Sequence, residues 1–460
     1  MPVHSVTIQP PPAQWRTALR SHNTSESARR FRQQLGLPTD RSIVFSGHQA
    51  MIWHAGILAK YLAASHIAES CHGAAAWVVV DQDPEDFGTL RLPRRHASGR
   101  LAAESVELVD AATIAAIRSG VPPCHISRFT IAKPANIDEL LNPVHHATPS
   151  TLPGHSAILA TLAAAPGTNA AEQLSAATQT LLAPLAPGVS HILATRLAHT
   201  DAFSALVARM AEDPIRCHHC YNDAAKRFPE AGIAPLATDK AGSPELPLWL
   251  IDPRTGLRKR IFAADLAQWP AQMLAPRALL LTALLRLEGC ELFIHGAGGG
   301  ASGAGEGYDR VTEAWISTWL ERPLAPAILV TATVTLPIGG AESVTPQQVE
   351  AARQKARKTR HDPALVGDAA TVARKLQLIS QLNATKDKHE KARIYDAMKS
   401  LLADAEKSNA PALAALDAQA EDLAARLADL PIASDRTWAF PLHDPTDLRD
   451  LSNRIRAITA

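Results

Sequence analysis

Two stretches of this sequence each predict a buried strand, then a loop of unusual composition, then a helix. In the first, residues 42–45 predict a short strand, residues 46–55 a polar loop, residues 56–69 a helix and residues 76–80 a second strand. A βαβ crossover joins parallel strands, so both strands end at the same edge of the sheet. We therefore expect the loop that begins at Ser46 and the acidic run that begins at Asp81 to be neighbours at the edge where α/β proteins bind ligands.

The second stretch lies late in the chain. Residues 276–287 predict a buried helix and residues 291–294 a strand. A glycine-rich loop follows, and a helix is expected over residues 308–320. The sequence thus predicts an α/β core with a parallel sheet over residues 1–340. The alanine-rich segment between about residues 97 and 270 has weak periodicity and is expected to hold inserted segments.

The sequence pattern changes at Thr345, where a capping residue, a proline and a glutamine indicate the start of a helix. Apolar residues then recur at alternating spacings of three and four, as in coiled-coil seams; they include Leu413, Leu416, Ala420, Leu423, Leu427 and Leu430. The pattern predicts an antiparallel helical hairpin over residues 341–430, with its turn at residues 409–411. Residues 431–460, with Trp438 and Phe440, are expected to return to the core.

Charge and hydropathy limit the classes of partner that we expect this chain to bind. The chain has 46 basic and 45 acidic residues among its 460, so we expect no nucleic-acid partner. No window approaches the roughly 18 apolar residues of a spanning helix, and the first 20 residues lack an apolar signal core, so we expect no membrane association and a cytoplasmic location. The expected partner is a small-molecule substrate, and the coiled-coil pattern permits a homodimer.

The loop after the first predicted strand is rich in groups that bind anions. Amides at a helix start attract anions, glycines let a ligand approach the backbone, and histidine or lysine donates to phosphate or carboxylate oxygens. Since a loop histidine is often structural or solvated, position and clustering carry the hypothesis. We expect catalytic roles for His48, Gln49 and His54, and binding roles for Ser46, Gly47, Gly56 and Lys60.

The run after the second strand places four carboxylates in six residues, Asp81 to Asp86. Such density at a sheet edge is typical of a Mg²⁺ site, of an acceptor for a ribose, or of a site for a substrate amine. The plain structural alternative is a solvated turn in which Asp83 caps a helix. Asp81 and Asp83 are the favoured catalytic residues because they lie nearest the strand end.

The late glycine-rich loop is the third candidate. A loop so poor in side chains is costly in conformational entropy, which favours backbone contact with phosphate or another bulky ligand over a merely flexible loop. Residues 296–301 match the dinucleotide fingerprint in relaxed form, but they do not open directly into a helix, which argues against NAD. The expected binding residues are His295, Gly296, Gly298, Gly299, Gly300, Glu306, Tyr308 and Asp309.

One further motif, Cys217-His218-His219-Cys220, contains the residue types that bind zinc. Side chains so close together seldom complete a tetrahedron alone, and no second pair of ligands is nearby, so no metal site is predicted. The sequence also lacks the motifs of serine hydrolases, P-loop enzymes and zincins.

These motifs resemble those of the bacillithiol-synthesis cysteine-adding enzyme family and its bacterial relatives. In order they are SGHQ, WHAG with Lys60, VDQD, PRALLLTALL, FIHGAGGG and YDRVTEA. In that family the first motif reads TGQQ, the second block resembles EDHDFEE, and a GGPGE-type loop follows the late strand; residues 81–86 and 303–306 look like the corresponding positions here. The resemblance spans residues 41–90 and 272–320 together with the C-terminal helices. His48 stands where the family has a glutamine, and the glycine loop is longer.

The resemblance implies a Rossmann-like core similar to class I nucleotidyltransferases and aminoacyl-tRNA synthetases, carrying a coiled-coil arm. It also implies a ligase that joins an amino compound, with cysteine as one candidate, to a carboxylate through an amide. Amide formation from a free carboxylate is uphill, so ATP or ADP with Mg²⁺ is the expected cofactor set. Two alternatives stay open: a nucleotidyltransferase or hydrolase on the same core, and a non-catalytic metabolite-binding scaffold that dimerises through the coiled coil.

Overall fold

The computed structural model describes residues 5–20, 22, 25–95, 101–131, 151–297, 307–336, 338 and 343–460. They divide into two compact units. One contains the strands and ten of the described α-helices and draws on Pro2–Arg95, Ala102–Leu336 and Asp435–Ala460. The other is made up of Met1, His96–Leu101 and Pro337–Ser434, and its described helices lie within Pro337–Ser434.

The strands of the described residues are β1 (Ser5–Gln9), β2 (Ile43–Gln49), β3 (Ala74–Val80), β4 (Thr89–Arg95), β5 (Leu101–Glu107), β6 (Ser190–Leu193), β7 (Glu245–Ile251), β8 (Arg258–Phe262), β9 (Leu274–Pro276), β10 (Leu292–His295) and β11 (Ala327–Thr333). The α-helices of the same unit are α1 (Glu26–Gln34), α2 (Ala55–Ser70), α3 (Ala111–Arg118), α4 (Leu152–Ala164), α5 (Ala170–Leu182), α6 (Asp201–Glu212), α7 (Pro214–Arg227), α8 (Ala278–Leu284), α9 (Tyr308–Trp319) and α14 (Pro445–Thr459). The helical unit contains α10 (Pro346–His361), α11 (Ala369–Ala384), α12 (Lys388–Ser408) and α13 (Ala410–Ala433).

A six-stranded sheet in the order β1-β11-β10-β2-β3-β6 forms the centre of the larger unit. All its neighbours pair in parallel except β1, which is antiparallel to β11 at one edge. The prediction of an α/β fold with a parallel β2-α2-β3 crossover is confirmed, since β2 and β3 pair from Ile43 and Ala74 to Gln49 and Val80. Both strands therefore end at one edge of the sheet.

Strand β2 is longer than predicted. Ser46, Gly47, His48 and Gln49 were expected in a loop, but they continue the strand and pair with β3 to its end. The hydroxyl of Ser46 donates to the carbonyl oxygen of Ile294 at 2.8 Å. A Cβ atom at Gly47 would lie 2.2 Å from Val78 Cγ1, so only glycine lets the two strands pass this closely. Polar residues fit here because the backbone is paired on the sheet.

Helix α2 is buried on nearly every face. It packs against β2, β3 and β11, and α14 packs against it. The segment before α14 also contacts the start of α2. His54 pairs with Ala439, and the backbone amide of Phe440 donates to the carbonyl oxygen of Trp53 at 2.7 Å. A second, antiparallel sheet has the order β8-β7-β9. Its strands β7 and β8 lie in the stretch that the sequence left unassigned, and β9 follows that stretch.

The turn of the helical unit is not where the sequence placed it. The amide of Asn409 donates to Ala405 at 2.9 Å and that of Leu413 donates to Asn409 at 3.0 Å, so the helical bonding passes through residues 409–411. Proline is tolerated there because it lies in the first turn of α13. The predicted turn at residues 409–411 is therefore wrong.

The chain of the helical unit instead reverses between α11 and α12, so that α10 packs with α13 and α11 with α12. Arg360 contacts Asp417 at 2.6 Å. Asp368, eight residues later, accepts a hydrogen bond from Asn409, eight residues before Asp417, as expected for antiparallel arms. In the part of the chain that the structure describes, no helix is both long and apolar enough to cross a membrane.

Candidate functional site

A cavity of about 490 Å³ lies at the carboxyl ends of β2, β3 and β10. Its lining is partly apolar, with Val78 and Val80 from β3 and Phe293 from β10. The structure brings together there ten of the residues that the sequence predicted: Gly47, His48, Gln49, His54, Gly56, Lys60, Asp83, His295, Gly296 and Tyr308. Ser46, Asp81 and Asp309 do not line the cavity, and Gly298, Gly299, Gly300 and Glu306 lie outside the described residues.

His54 caps α2 and points a donor at the cavity. Its Nδ1 accepts a hydrogen bond from the amide of Gly56 at 3.0 Å, so that helix-start amide is already occupied and Nδ1 carries no proton. Burial, helped by the charges of Arg436 and Lys60, lowers the pKa of His54 to about 4. The ring is therefore neutral at pH 7 with its proton on Nε2. A ligand can accept a hydrogen bond from that atom.

Lys60 lies one turn further along α2 and is 6% exposed. Its Nζ donates to the carbonyl oxygen of Gly47 at 2.7 Å and lies 5.3 Å from the centre of the Trp77 ring. Burial lowers its pKa to about 7. The side chain is thus divided between ammonium and amine near neutral pH, and a bound anion would favour the ammonium.

His48 lies at the end of the central strand β2. Burial, followed by the charges of Lys60 and His54, lowers its pKa to about 3, so the ring is neutral. Its Nδ1 is buried and has no hydrogen-bond partner within the described residues. Because unpaired buried polar atoms are rare in folded proteins, this nitrogen is a candidate contact for a ligand.

His295 ends β10 and connects the cavity with α9. Its Nε2 lies 2.8 Å from Oδ1 of Asp309, close enough for an ion pair but without the alignment of a hydrogen bond. Its Nδ1 and the hydroxyl of Tyr308 are 3.2 Å apart. Asp309 is in turn 3.4 Å from the buried guanidinium of Arg286. Asp309 therefore contacts His295 but does not itself line the cavity.

Among the lining residues that the sequence analysis did not predict are two polar ones from the C-terminal segment. Arg436 and Thr437 line the cavity although they lie more than 370 residues from His54. The guanidinium of Arg436 donates to the hydroxyl of Thr331 on β11 at 2.8 Å and to the carbonyl oxygen of Ala332 at 3.1 Å, which holds it beside the start of α2. No local pattern marked it, because its position depends on the pairing of the C-terminal segment with residues 53 and 54.

The acidic run splits into a structural part and a part that faces the cavity. Asp81 is fully buried, and its carboxylate accepts hydrogen bonds from the amide of Thr195 at 2.9 Å and from its hydroxyl. Burial raises the pKa of Asp81 to about 6 in spite of these bonds. Asp81 thus ties β3 to the turn of 3₁₀ helix that follows β6. Gln82 and Asp83 line the cavity, and Asp83 is paired with Arg258.

The Cys217-His218-His219-Cys220 motif lies on α7, away from the cavity. Nδ1 of His218 donates to the carbonyl oxygen of Glu245 at 3.0 Å, and its Nε2 accepts from the amide of Asn222 at 3.0 Å. Both ring nitrogens are therefore used within the protein. A search of the described residues finds no group of three or more histidine, cysteine, aspartate or glutamate side chains that could hold a metal ion.

No protein-family model and no curated protein matches this chain. Fold and geometry by themselves define a class of protein: an α/β protein whose mostly parallel sheet carries a cavity at its carboxyl edge. The size of the cavity, about 490 Å³, is within the range of small-molecule sites.

Proposed function

We propose that this cavity is the active site of a ligase-like enzyme, which binds an anionic small molecule and joins a carboxylate to an amino compound through an amide. One observation carries the proposal: His54, Lys60 and Arg436 line the same cavity. Asp435, which precedes Arg436, is held by Arg91 at 2.9 Å. Asp83, the one carboxylate among the described lining residues, is paired with Arg258. We call the side of the cavity formed by His54, Lys60 and Arg436 the anion end. Its charges favour the binding of a phosphate or carboxylate group.

Amide formation from a free carboxylate needs activation. We propose that a carboxylate oxygen of the substrate attacks the γ-phosphorus of ATP with release of ADP, or the α-phosphorus with release of pyrophosphate. The neutral amine then attacks the acyl carbon and loses a proton, while phosphate in the first case or AMP in the second leaves. The Nε2–H of His54 and the ammonium of Lys60 would stabilise the negative charge that develops on oxygen. With a pKa of about 7, Lys60 can also exchange protons at neutral pH.

Magnesium would enter with the nucleotide in this scheme. Protein sites for Mg²⁺ usually supply one or two carboxylates and leave the other positions to phosphates and water. Asp83 is the carboxylate that the described residues place in the cavity, and its pairing with Arg258 would have to loosen. Among the lining residues that the structure describes, the protein offers this one carboxylate ligand.

We also propose the finer features that the resemblance implies: a Rossmann-like core similar to class I nucleotidyltransferases, and coiled-coil winding of the helical arms. The parallel β2-α2-β3 crossover supports the first feature. The antiparallel packing of α10 against α13 supports the second. We further propose a cytoplasmic location, supported by five free thiols. Homodimerisation through the arms stays a prediction.

The test is a reaction with ATP, Mg²⁺ and pooled amino compounds and carboxylates, followed by phosphate or pyrophosphate release and by mass spectrometry for a new amide. His54→Asn keeps a good helix cap but removes the Nε2 donor, and should lower turnover by about 10²–10³-fold, as expected for a lost oxyanion donor. Lys226→Met, at an exposed position on α7, is the matched control for Lys60→Met.

Each outcome of that reaction bears on a different function. Full turnover in both His54→Asn and Lys60→Met would overturn the proposal. Nucleotide cleavage without an amide would favour a nucleotidyltransferase or hydrolase at the same anion end. No turnover with any pool, together with tight nucleotide binding, would favour the metabolite-binding scaffold.

A further inference from the structure

The cavity contains a second polar feature, at the end of β3. Gln82 follows β3 and is 2% exposed. Its Nε2 donates to the carbonyl oxygen of Pro276, and its Oε1 is buried with no hydrogen-bond partner within the described residues. Because a carbonyl oxygen can only accept, the amide nitrogen must face Pro276, and the free atom must be the oxygen. Gln82 thus contributes to the lining of the cavity a residue whose buried oxygen lacks a donor.

The charges around Gln82 favour a positive donor. Asp83, Glu85 and Asp86 follow it directly, and Arg258 pairs with Asp83. Burial, together with the charges of Asp83 and Asp86, raises the pKa of Glu85, as expected where carboxylates outnumber cations. A neutral hydroxyl would satisfy Oε1, but an ammonium group would also gain from these carboxylates.

The two polar features are anchored on different strands of the sheet. Arg436 is held by Thr331 on β11, whereas Gln82 follows β3. Strands β10 and β2 lie between them, so Thr331 and the end of β3 are separated by three strand spacings, or about 14 Å at roughly 4.8 Å per spacing. Lys60, whose Nζ contacts the carbonyl oxygen of Gly47 on β2, lies between these positions. A ligand that reaches from Arg436 to Gln82 is therefore longer than the few ångströms between the amino and carboxyl groups of an α-amino acid.

We infer that Gln82 Oε1 and the carboxylate of Asp83 form a subsite for the primary amine of a second substrate. The inference rests on the proposed function, because it supplies the amine that a ligase would join to the activated carboxylate. Gln82 is then the residue that selects an amine over its analogue without nitrogen, since a ligand lacking the donor would leave Oε1 buried and unpaired. Gln82 was not predicted from the sequence, because the hypothesis for residues 81–86 concerned their carboxylates.

The chain offers a matched control. Gln173 on α5 is 1% exposed, donates from Nε2 to the carbonyl oxygen of Leu162 at 2.8 Å, and has a buried Oε1 without a partner in the described residues. It does not line the cavity. Gln82→Met and Gln173→Met thus remove the same kind of side chain from the same kind of surroundings, one inside the cavity and one outside it.

The experiment is isothermal titration of the full chain, saturated with ATP and Mg²⁺, with the twenty common L-amino acids. Any amino acid that binds is then compared with the acid that lacks its α-amino group. We expect binding to require the amino group and Gln82→Met to weaken it about tenfold or more, the size of a hydrogen bond to a charged group. ATP affinity should stay unchanged in Gln82→Met, and Gln173→Met should bind both ligands normally.

Failure of this inference can be told apart from failure of the proposed function. If ATP binds but no amino acid does, or if the acid without nitrogen binds equally well, or if Gln82→Met binds the amine normally, the amine subsite is overturned while the anion end stands. If ATP does not bind, the proposed function fails. Should Gln82→Met not fold, Glu85→Gln at a half-buried position beside Asp83 makes the comparison. Weaker amine binding with unchanged ATP affinity would support the subsite, and unchanged amine binding would overturn it.

Discussion

Replacing Lys60 by methionine should make the sheet-bearing unit more stable at low and neutral pH. The ammonium group is buried, contacts Gly47 O and the Trp77 ring, and forms no ion pair with a carboxylate within the described part of the chain. Burial lowers its pKa from the ordinary 10.5 to about 7. The folded protein therefore holds this proton less tightly than the unfolded chain does.

The size of the effect follows from that difference. At about 1.36 kcal/mol per pH unit, charged Lys60 lowers the free energy of unfolding by about 5 kcal/mol at pH 6. Between pH 7 and 10.5 the unfolded chain binds more protons, so stability rises with pH, and about 2 kcal/mol of the cost remains at pH 9. Methionine loses the hydrogen bond to Gly47, worth about 1–3 kcal/mol, so the net gain is about 2–4 kcal/mol at pH 6 and near zero at pH 9.

Urea unfolding followed by tryptophan fluorescence measures this difference. All eight tryptophans lie outside Pro337–Ser434, so the signal reports on the sheet-bearing unit alone. Lys226→Met, at an exposed lysine of the same unit, should leave the pH dependence of stability unchanged. A Lys60→Met protein that is less stable than the wild type at pH 6, or whose difference from it is the same at pH 6 and pH 9, would refute the argument that Lys60 is kept at a cost in stability.

Three further predictions concern the same unit. Thr195→Val removes the hydroxyl donor of the buried Asp81 and should lower the free energy of unfolding by about 1–3 kcal/mol in urea titrations. ATP affinity should not change, and a loss of affinity would return Asp81 to the site. Arg32→Met leaves Glu291, its partner at 2.7 Å, buried without a counter-charge and should cost about 3–5 kcal/mol. An additional Glu291→Gln should recover part of that loss, and a cost no larger than that of a surface change would contradict the pairing. Between about pH 7.5 and 9, where ATP is fully ionised, calorimetric affinity for ATP should fall by up to about tenfold per pH unit as Lys60 loses its proton, and Lys60→Met should show no such slope.

The sequence predicted the fold best where the signal is local. The β2-α2-β3 crossover follows from apolar runs of strand length on either side of a helical pattern, and the structure confirms it. The polar end of β2 was missed because pairing with β3, rather than side-chain character, keeps residues 46–49 on the sheet. The turn at residues 409–411 was wrong because proline reads as a breaker although it is tolerated in the first turn of a helix. Asp387, which caps α12, was the better marker of the reversal.

The site was predictable only to the extent that it is built from strand ends. Parallel strands bring residues 47–60, 83 and 295–296 to one edge, as expected from the crossover. Asp81 and Gln82 show what the sequence could not predict. Adjacent residues on an extended chain face opposite ways, and no sequence pattern indicated which of the two lines the cavity. Arg436 could not be predicted, because its place depends on contacts between segments that are distant in sequence.

The central claim is that the cavity binds an oxyanion between α2 and β11. The most direct test is a crystal soaked in tungstate, a tetrahedral anion like phosphate, with an anomalous difference map to locate the metal. The account predicts a peak within reach of His54 Nε2, Lys60 and Arg436, absent from crystals of the Lys60→Met protein. A cavity without a peak, while tungstate occupies other surfaces of the same molecule, would contradict it.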